Sequence, residues 1–344
     1  MSSDHLSNEV SVSGDLTKTG VKAAAKSRAV AAIDRLVGNI IDLPSAWVEG
    51  VSIKRRAKSD GERQIIDAVA NFGIQRLGED REFAERALEM YFKSIARQQE
   101  NKEAVVMAAI EDLQAQSPSE VAEDGGPAIL GDDFIHRFEH YAQDASTEEL
   151  RRRWGRVLAS EIRKPGTFSS RVLRITDELD SETALLFERL CQSRIEDGIV
   201  HALSGKLALD QIVRLVEGGL MLDPGTSVKS GHTHTLESET FSNDLIGYAL
   251  WIGDWAVVIK RDAKFTHYSP NVRLSSTTME LVGYRLKDAG IALSTILRFN
   301  ERDVAFRAWS IFKTFVDEDD MAIMRRVRGS GLVAIAPSSF SPAN

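Results

Sequence analysis

The sequence predicts an α+β fold, mainly α, with a helical N-terminal part that contains a long helical hairpin and a small mixed α/β module behind it. Three observations predict this. From Val30 to Cys191 the apolar residues recur at helical spacing. The breaks in that pattern coincide with proline- and glycine-bearing stretches. Beyond about Gly198 the chain turns to short apolar runs, rich in β-branched and aromatic residues and bounded by Gly or Asp, as strands are.

Residues 1–21, rich in Ser, Asn, Asp and Gly, predict a tail too polar to close a core. A helical region over 22–115 follows. Its first amphipathic helix carries Val30, Ile33, Val37, Ile40 and Ile41, and Pro44 stops it. After Trp47 and the basic run Lys54-Arg55-Arg56, Ser59 or Asp60 caps a second helix bearing Ile65, Ile66, Val69, Phe72 and Leu77. From Asp80 the apolar positions Phe83, Ala87, Leu88, Tyr91 and Ile95 lead to Val105, Ala109 and Leu113 without Gly or Pro. One helix of about 35 residues, roughly 50 Å long, is permitted there. The polar stretch Arg97–Glu103 within it either breaks the helix near Asn101 or faces solvent or a partner. Residues 116–131, with Pro118, Gly125, Gly126 and Pro127, read as a linker.

A helical domain over 132–197 comes next. Asp132 and Asp133 open a helix with Phe134, Ile135, Phe138 and Tyr141, and Ser146 or Thr147 caps another with Leu150, Trp154, Val157, Leu158 and Ile162. Pro165-Gly166 ends it. Ser169 and then Asp180 or Ser181 cap two further helices, the last reaching Cys191. In the mixed module, 198–336, strands are expected within 250–259 and 332–336, and helices at 207–217 and near 287–297 and 301–316. Residues 337–344 form a short tail.

Fifty-one Asp and Glu against 43 Lys and Arg leave a formal net charge of −8, which disfavours generic attachment of the whole chain to nucleic acid or anionic membranes. The single cysteine, Cys191, excludes an internal disulfide and a cysteine-based zinc cluster, and its neighbours Leu186, Phe187 and Leu190 mark it as core. The first residues lack the basic and apolar regions of a leader, and nowhere do 18 apolar residues run together, so a cytoplasmic protein with no membrane span is expected. The glycine-framed motifs of phosphate loops, dinucleotide folds and hydrolase elbows are absent, and no cofactor is expected.

The stretch Trp154-Gly-Arg-Val-Leu-Ala-Ser-Glu-Ile-Arg-Lys-Pro-Gly-Thr-Phe-Ser169 is similar to the hallmark of an uncharacterised bacterial family known only as a domain of unknown function. The positions that carry the likeness are Trp154, Leu158, Ala159, Glu161, Ile162, Pro165, Gly166, Phe168 and Ser169. The segment around Gln98 to Asn101 resembles the family's Gln-x-Asn piece, and Lys54-Arg55-Arg56 its early basic pair, so the resemblance covers roughly residues 28–195. Through Trp154, Leu158 and Ala159 alone there is a more distant likeness to the alpha-type abortive-infection proteins. The resemblance implies a fold and a setting in phage or stress defence; it implies no reaction.

Further along, Val282–Leu293 resembles the strand-to-helix piece of winged-helix regulators, so the α/β module is expected to be winged-helix-like. Lys287 stands where that pattern has Thr, an insertion of about 60 residues separates this piece from the helix at 207–217, and that helix offers only Arg214 where a recognition helix needs several donors.

His136-Arg-Phe-Glu139-His140 is an inverted H-x-x-E-H pattern that on a helix sets two histidines on one face, with Glu217 as the distant third ligand of a zinc hydrolase. The flanking Phe and Gly of such motifs are missing, so two half-exposed helix histidines are expected instead of a metal site. His232-Thr-His234, in a Gly- and Ser-rich stretch, reads as a solvated loop, and Asp317–Asp320 with Arg325, Arg326 and Arg328 behind it as a solvated turn. Residues 151–174 gather Arg151, Arg152, Arg153, Arg156, Arg163, Lys164, Arg171 and Arg174 against Glu161 alone, while 132–150 hold six acids against Arg137. Adjacent helices either pair these charges or expose a cationic face. The residues of the hallmark read as a packing corner, with Glu161 as a capping or ion-pairing carboxylate. The expected function is a non-enzymatic protein-interaction component with a protein partner or self-association through 80–113. The alternative is a nucleic-acid-binding regulator, and the third reading is the zinc hydrolase.

Overall fold

The computed structural model describes residues 23–37, 81–115, 127, 129–225, 232–242, 245–265, 271–274, 278–327 and 331–336. The expected tails, the Lys54-Arg55-Arg56 run, the expected helix at 59–77 and most of the linker lie outside the described residues. Contacts divide the chain into a unit of residues 1–173 and one of 174–344.

The first unit is helical: α1 Ala23–Val37, α2 Arg81–Ala115, α3 Asp132–Asp144 and α4 Glu148–Arg163, with α5 Ser170–Glu178 running through the division. The Thr147 hydroxyl caps α4 by accepting from the Leu150 N–H at 3.2 Å, and Glu148, Glu149 and Arg163 complement its dipole. Ala25, Ala29 and Ile33 on α1, Val105, Ala109 and Leu113 on α2, Ile135 and Phe138 on α3, and Trp154, Leu158 and Ile162 on α4 form its core. Trp154 stacks on Tyr141 with ring centroids 4.9 Å apart and takes Phe138 edge-on. The helix α2 is continuous through Arg97–Glu103. Asn101 permits this by turning inward, where its amide donates to the Gln143 carbonyl at 2.8 Å and its oxygen accepts from Arg151 at 2.7 Å.

The second unit comprises α6 Ser181–Cys191, β1 Arg194–Ile195, β2 Gly198–Val200, α7 His201–Ser204, α8 Leu209–Glu217, β3 His232–Ser242, β4 Leu245–Ile252, β5 Trp255–Lys260, β6 Val272–Leu274, β7 Thr278–Arg285, α9 Asp288–Ser294, α10 Glu301–Phe312, β8 Met321–Val327 and β9 Gly331–Ile335. The nine strands among its described residues make one sheet in the order β1-β2-β7-β3-β4-β5-β8-β9, with β6 also on β7, and each of these pairings is antiparallel. The strand β3 is shared: His232–Glu237 pair with β7, and from Ser238 onward the strand pairs with β4, with a register shift between Thr240 and Ser242. Leu250, Val257, Ile259, Met279, Leu281 and Ile323 line one face and pack with Val304, Ala308 and Phe312 of α10.

This sheet overturns the expected winged-helix-like module. Val282–Leu293 is indeed a strand followed by a helix, but β7 is an interior strand. Gly283 pairs with Val200 on one edge and His232 on the other, and Leu281 likewise with Val272 and His234. A strand-then-helix piece looks the same locally in both folds; long-range pairing makes the difference, and local spacing does not encode it. His232-Thr-His234 begins β3 instead of lying in a loop. Asp317–Asp320 contributes a 3-10 turn, Glu318–Asp320, and Arg325 and Arg326 belong to β8.

The pairing of Ile252 with Trp255 leaves Gly253-Asp254 as a two-residue hairpin turn, and Gly253 has φ +59°. A Cβ there would coincide with the Glu301 carboxylate, which accepts the Asp254 N–H at 3.0 Å. Gly253→Ala is therefore expected to cost about 1–2 kcal/mol, from backbone strain plus the displaced carboxylate, read as a lower urea midpoint with an unchanged slope.

Candidate functional site

The residues that resemble the family hallmark pack Trp154, Leu158, Ala159, Ile162 and Phe168 into the core of the first unit, with one buried carboxylate, Glu161, among them. Glu161 is 4% exposed. Its carboxylate accepts the backbone N–H groups of Gly166 at 2.6 Å and Phe168 at 2.8 Å, so it holds the chain as it leaves α4 through the Pro165-Gly166 turn, where Gly166 has φ +88°. Burial pushes its pKa above the ordinary carboxylate value, against the N–H groups of Gly166, Phe168 and Thr167, which favour the charged form. The buried Arg28 of α1 caps the same helix end by donating to the Ile162 carbonyl at 2.6 Å and to Pro127 at 3.0 Å. Phe168 folds into the core.

Four members of the basic cluster have polar partners within the first unit. Arg163 pairs with Asp112 of α2 at 2.9 Å and is nearly buried. Arg151 donates to the Ala145 carbonyl as well as to Asn101. Arg152 and Arg153 pair with Glu148 and Glu149 one turn earlier. Lys164, Arg171 and Arg174 stay exposed, and Arg156 is half-buried.

The inverted zinc pattern disperses. Glu139 pairs with Lys102 of α2 at 2.8 Å, Gln143 contacts the His140 ring at 3.3 Å, and His136 is exposed on α3. Glu217 ends α8 in the second unit. Among the described residues no group of three or more His, Cys, Asp or Glu side chains is placed to hold a metal.

Cys191 and His201 in the second unit have acidities shifted by burial. Burial pushes the Cys191 thiol up to about 12. It is expected to resist a thiol reagent at pH 8 in the native state and to react at the rate of unfolding, which stopped-flow labelling in urea checks. The His201 ring lies 4.4 Å from Tyr284, and both its nitrogens lack a hydrogen-bond partner. Burial lowers its pKa, helped by Lys206.

The clearest exposed feature is on α2. Between Glu82 and Glu100, no residue whose side chain is described is buried, whereas Asn101, Val105, Val106, Ala109 and Leu113 all are. Met90 is 68% exposed and Tyr91 62%, with Ile95 one turn further on also exposed and Leu88 half-buried. Leu88, Tyr91 and Ile95 share one helix face and Met90 flanks it. The α2 register had been legible in sequence. The partners of Arg28, Lys102 and Asp112 had not, because each lies on another helix far along the chain.

Residues 85–203 match a family model described as protein of unknown function (DUF2806). No curated protein and no solved structure matches the chain. No described helix is long and apolar enough to cross a membrane.

Proposed function

We propose that the protein is a non-enzymatic protein-interaction component that docks its partner on the first half of α2. The observation that carries this reading is the contrast within one helix, whose second half is packed and whose first half displays Met90, Tyr91 and Ile95 to solvent. Large apolar and aromatic side chains on a preformed helix lose little conformational entropy on binding and supply the anchors typical of interfaces. In cell extract the protein is expected to migrate in a complex heavier than its own assembly, and a Met90→Glu, Tyr91→Glu, Ile95→Glu variant to migrate alone with unchanged circular dichroism. A complex that survives this variant sinks the reading. The abortive-infection likeness is what supports phage or stress defence as the setting, and plaque counts in a bacterial host with and without the protein test it.

A second reading is favoured by the exposed Lys164, Arg171 and Arg174 around the Pro165-Gly166 corner: a nucleic-acid contact made through phosphates. With three such bases the log–log dependence of affinity on salt would have a slope of about −3. Absence of binding to mixed DNA and RNA at low salt removes this reading.

A further inference from the structure

The strand β9 ends the sheet path, and among the described residues only one of its edges is paired. Which backbone groups face outward follows from β8. The Arg326 N–H donates to the Asp254 carbonyl at 2.8 Å, on the β5 side. Because the bonding direction alternates along a strand, Ile323, Arg325 and Val327 direct theirs to β9, where they meet Ile335, Val333 and Gly331. Leu332 and Ala334 therefore direct their N–H and C=O groups away from the sheet. All of Gly331–Ala334 is exposed. The strand Gly-Leu-Val-Ala-Ile has no charge, proline or bulge, which are the usual guards of an edge. At the other end of the path, β1 is guarded by its length of two residues.

We infer that β9 is a self-association edge at which two copies of this chain join their sheets, β9 antiparallel to β9 about a two-fold axis at Val333. In that register Leu332 exchanges both backbone bonds with Ala334 of the partner subunit, and the reverse pair does the same, giving four bonds from the groups left outward. Val333 lies beside its own copy, a β-branched pair, and the larger Leu332 faces the smaller alanine. A second copy is the occupant the strand fits because the outward row is self-complementary in the antiparallel sense. No polar side chain on β9 is available to select a foreign sequence.

Sedimentation of the full chain at tens of micromolar tests this. The protein is expected at twice the mass of one chain. Ala334→Pro removes an outward N–H and leaves the bonds to β8, as edge prolines do, and Leu332→Lys places a charge on the edge. Both variants are expected at the mass of one chain, with circular dichroism and melting temperature like those of the unmodified protein. If Ala334→Pro fails to fold, Leu332→Lys decides. The Met90→Glu, Tyr91→Glu, Ile95→Glu variant is expected to keep the doubled mass. A single-chain mass for the unmodified protein overturns the inference, as does a doubled mass that survives both edge variants or is lost only in the α2 variant.

Discussion

Replacing Gly155 with valine is expected to lower the stability of the first unit by about 3 kcal/mol, at the upper end of what overpacking costs. Gly155 lies on α4 where that helix meets α2 with no side chain between. A Cβ at this position would sit 2.5 Å from the Ala108 Cβ and 2.9 Å from the Ala108 carbonyl carbon and the Ala109 nitrogen. Backbone cannot swing aside as a side chain does, so the helices must part. Val105, Val157 and Leu158, all essentially inaccessible to solvent, lose packing when they do. Calorimetry should show a melting temperature lower by about 10 °C for a unit of this size. Gly155→Ala should fall between the two. A valine variant that melts within a degree of the unmodified protein would show that the helices can separate cheaply.

Glu161→Ala is the second large effect, expected at about 3 kcal/mol, because it leaves the N–H of buried Phe168 without an acceptor and frees the turn at Gly166. The carboxyl should also leave a trace in pH. Burial places its folded pKa above the ordinary 4.5. A carboxyl whose folded pKa is raised contributes stability that is fully present below the unfolded value and is lost as pH rises through the folded one. The difference in unfolding free energy between the protein and Glu161→Gln should therefore shrink upward from about pH 4.5 and level off once the folded carboxyl has ionised. Urea unfolding of both proteins across that range measures it. A difference that grows with pH would mean that the three backbone donors outweigh burial.

The helices of the first unit were legible because each carries its own apolar stripe, and α4 a cap and a stop as well: Thr147 and Pro165-Gly166 bound α4 in sequence as they do in space. Glu161 was legible as a capping carboxylate, though not as the holder of a turn that follows it. The sheet was harder to read. The Thr- and Glu-rich β3 buries Leu236 but offers little apolar alternation, and its identity as a strand comes from the partners it meets. Asn101 shows the same limit in a helix. A polar run implies solvent unless an arginine and a carbonyl far along the chain stand ready to receive it. The basic cluster admitted two readings from composition, and the distances to Asp112, Asn101, Glu148 and Glu149 now account for four of its members.

The sharing of β3 between two partners has a kinetic consequence. Its first half needs β7 and its second half needs β4, while β7 must also recruit Gly198–Val200, from before β3, and β5 must wait for Met321–Val327. These closures span long stretches of chain, and their entropy is lost before the pairings they permit are gained. The first unit also joins distant segments, but its helices form locally and can dock preformed. The second unit is therefore the slow step of refolding, and while it waits, unpaired β3 and β9 are the segments through which newly made chains would aggregate.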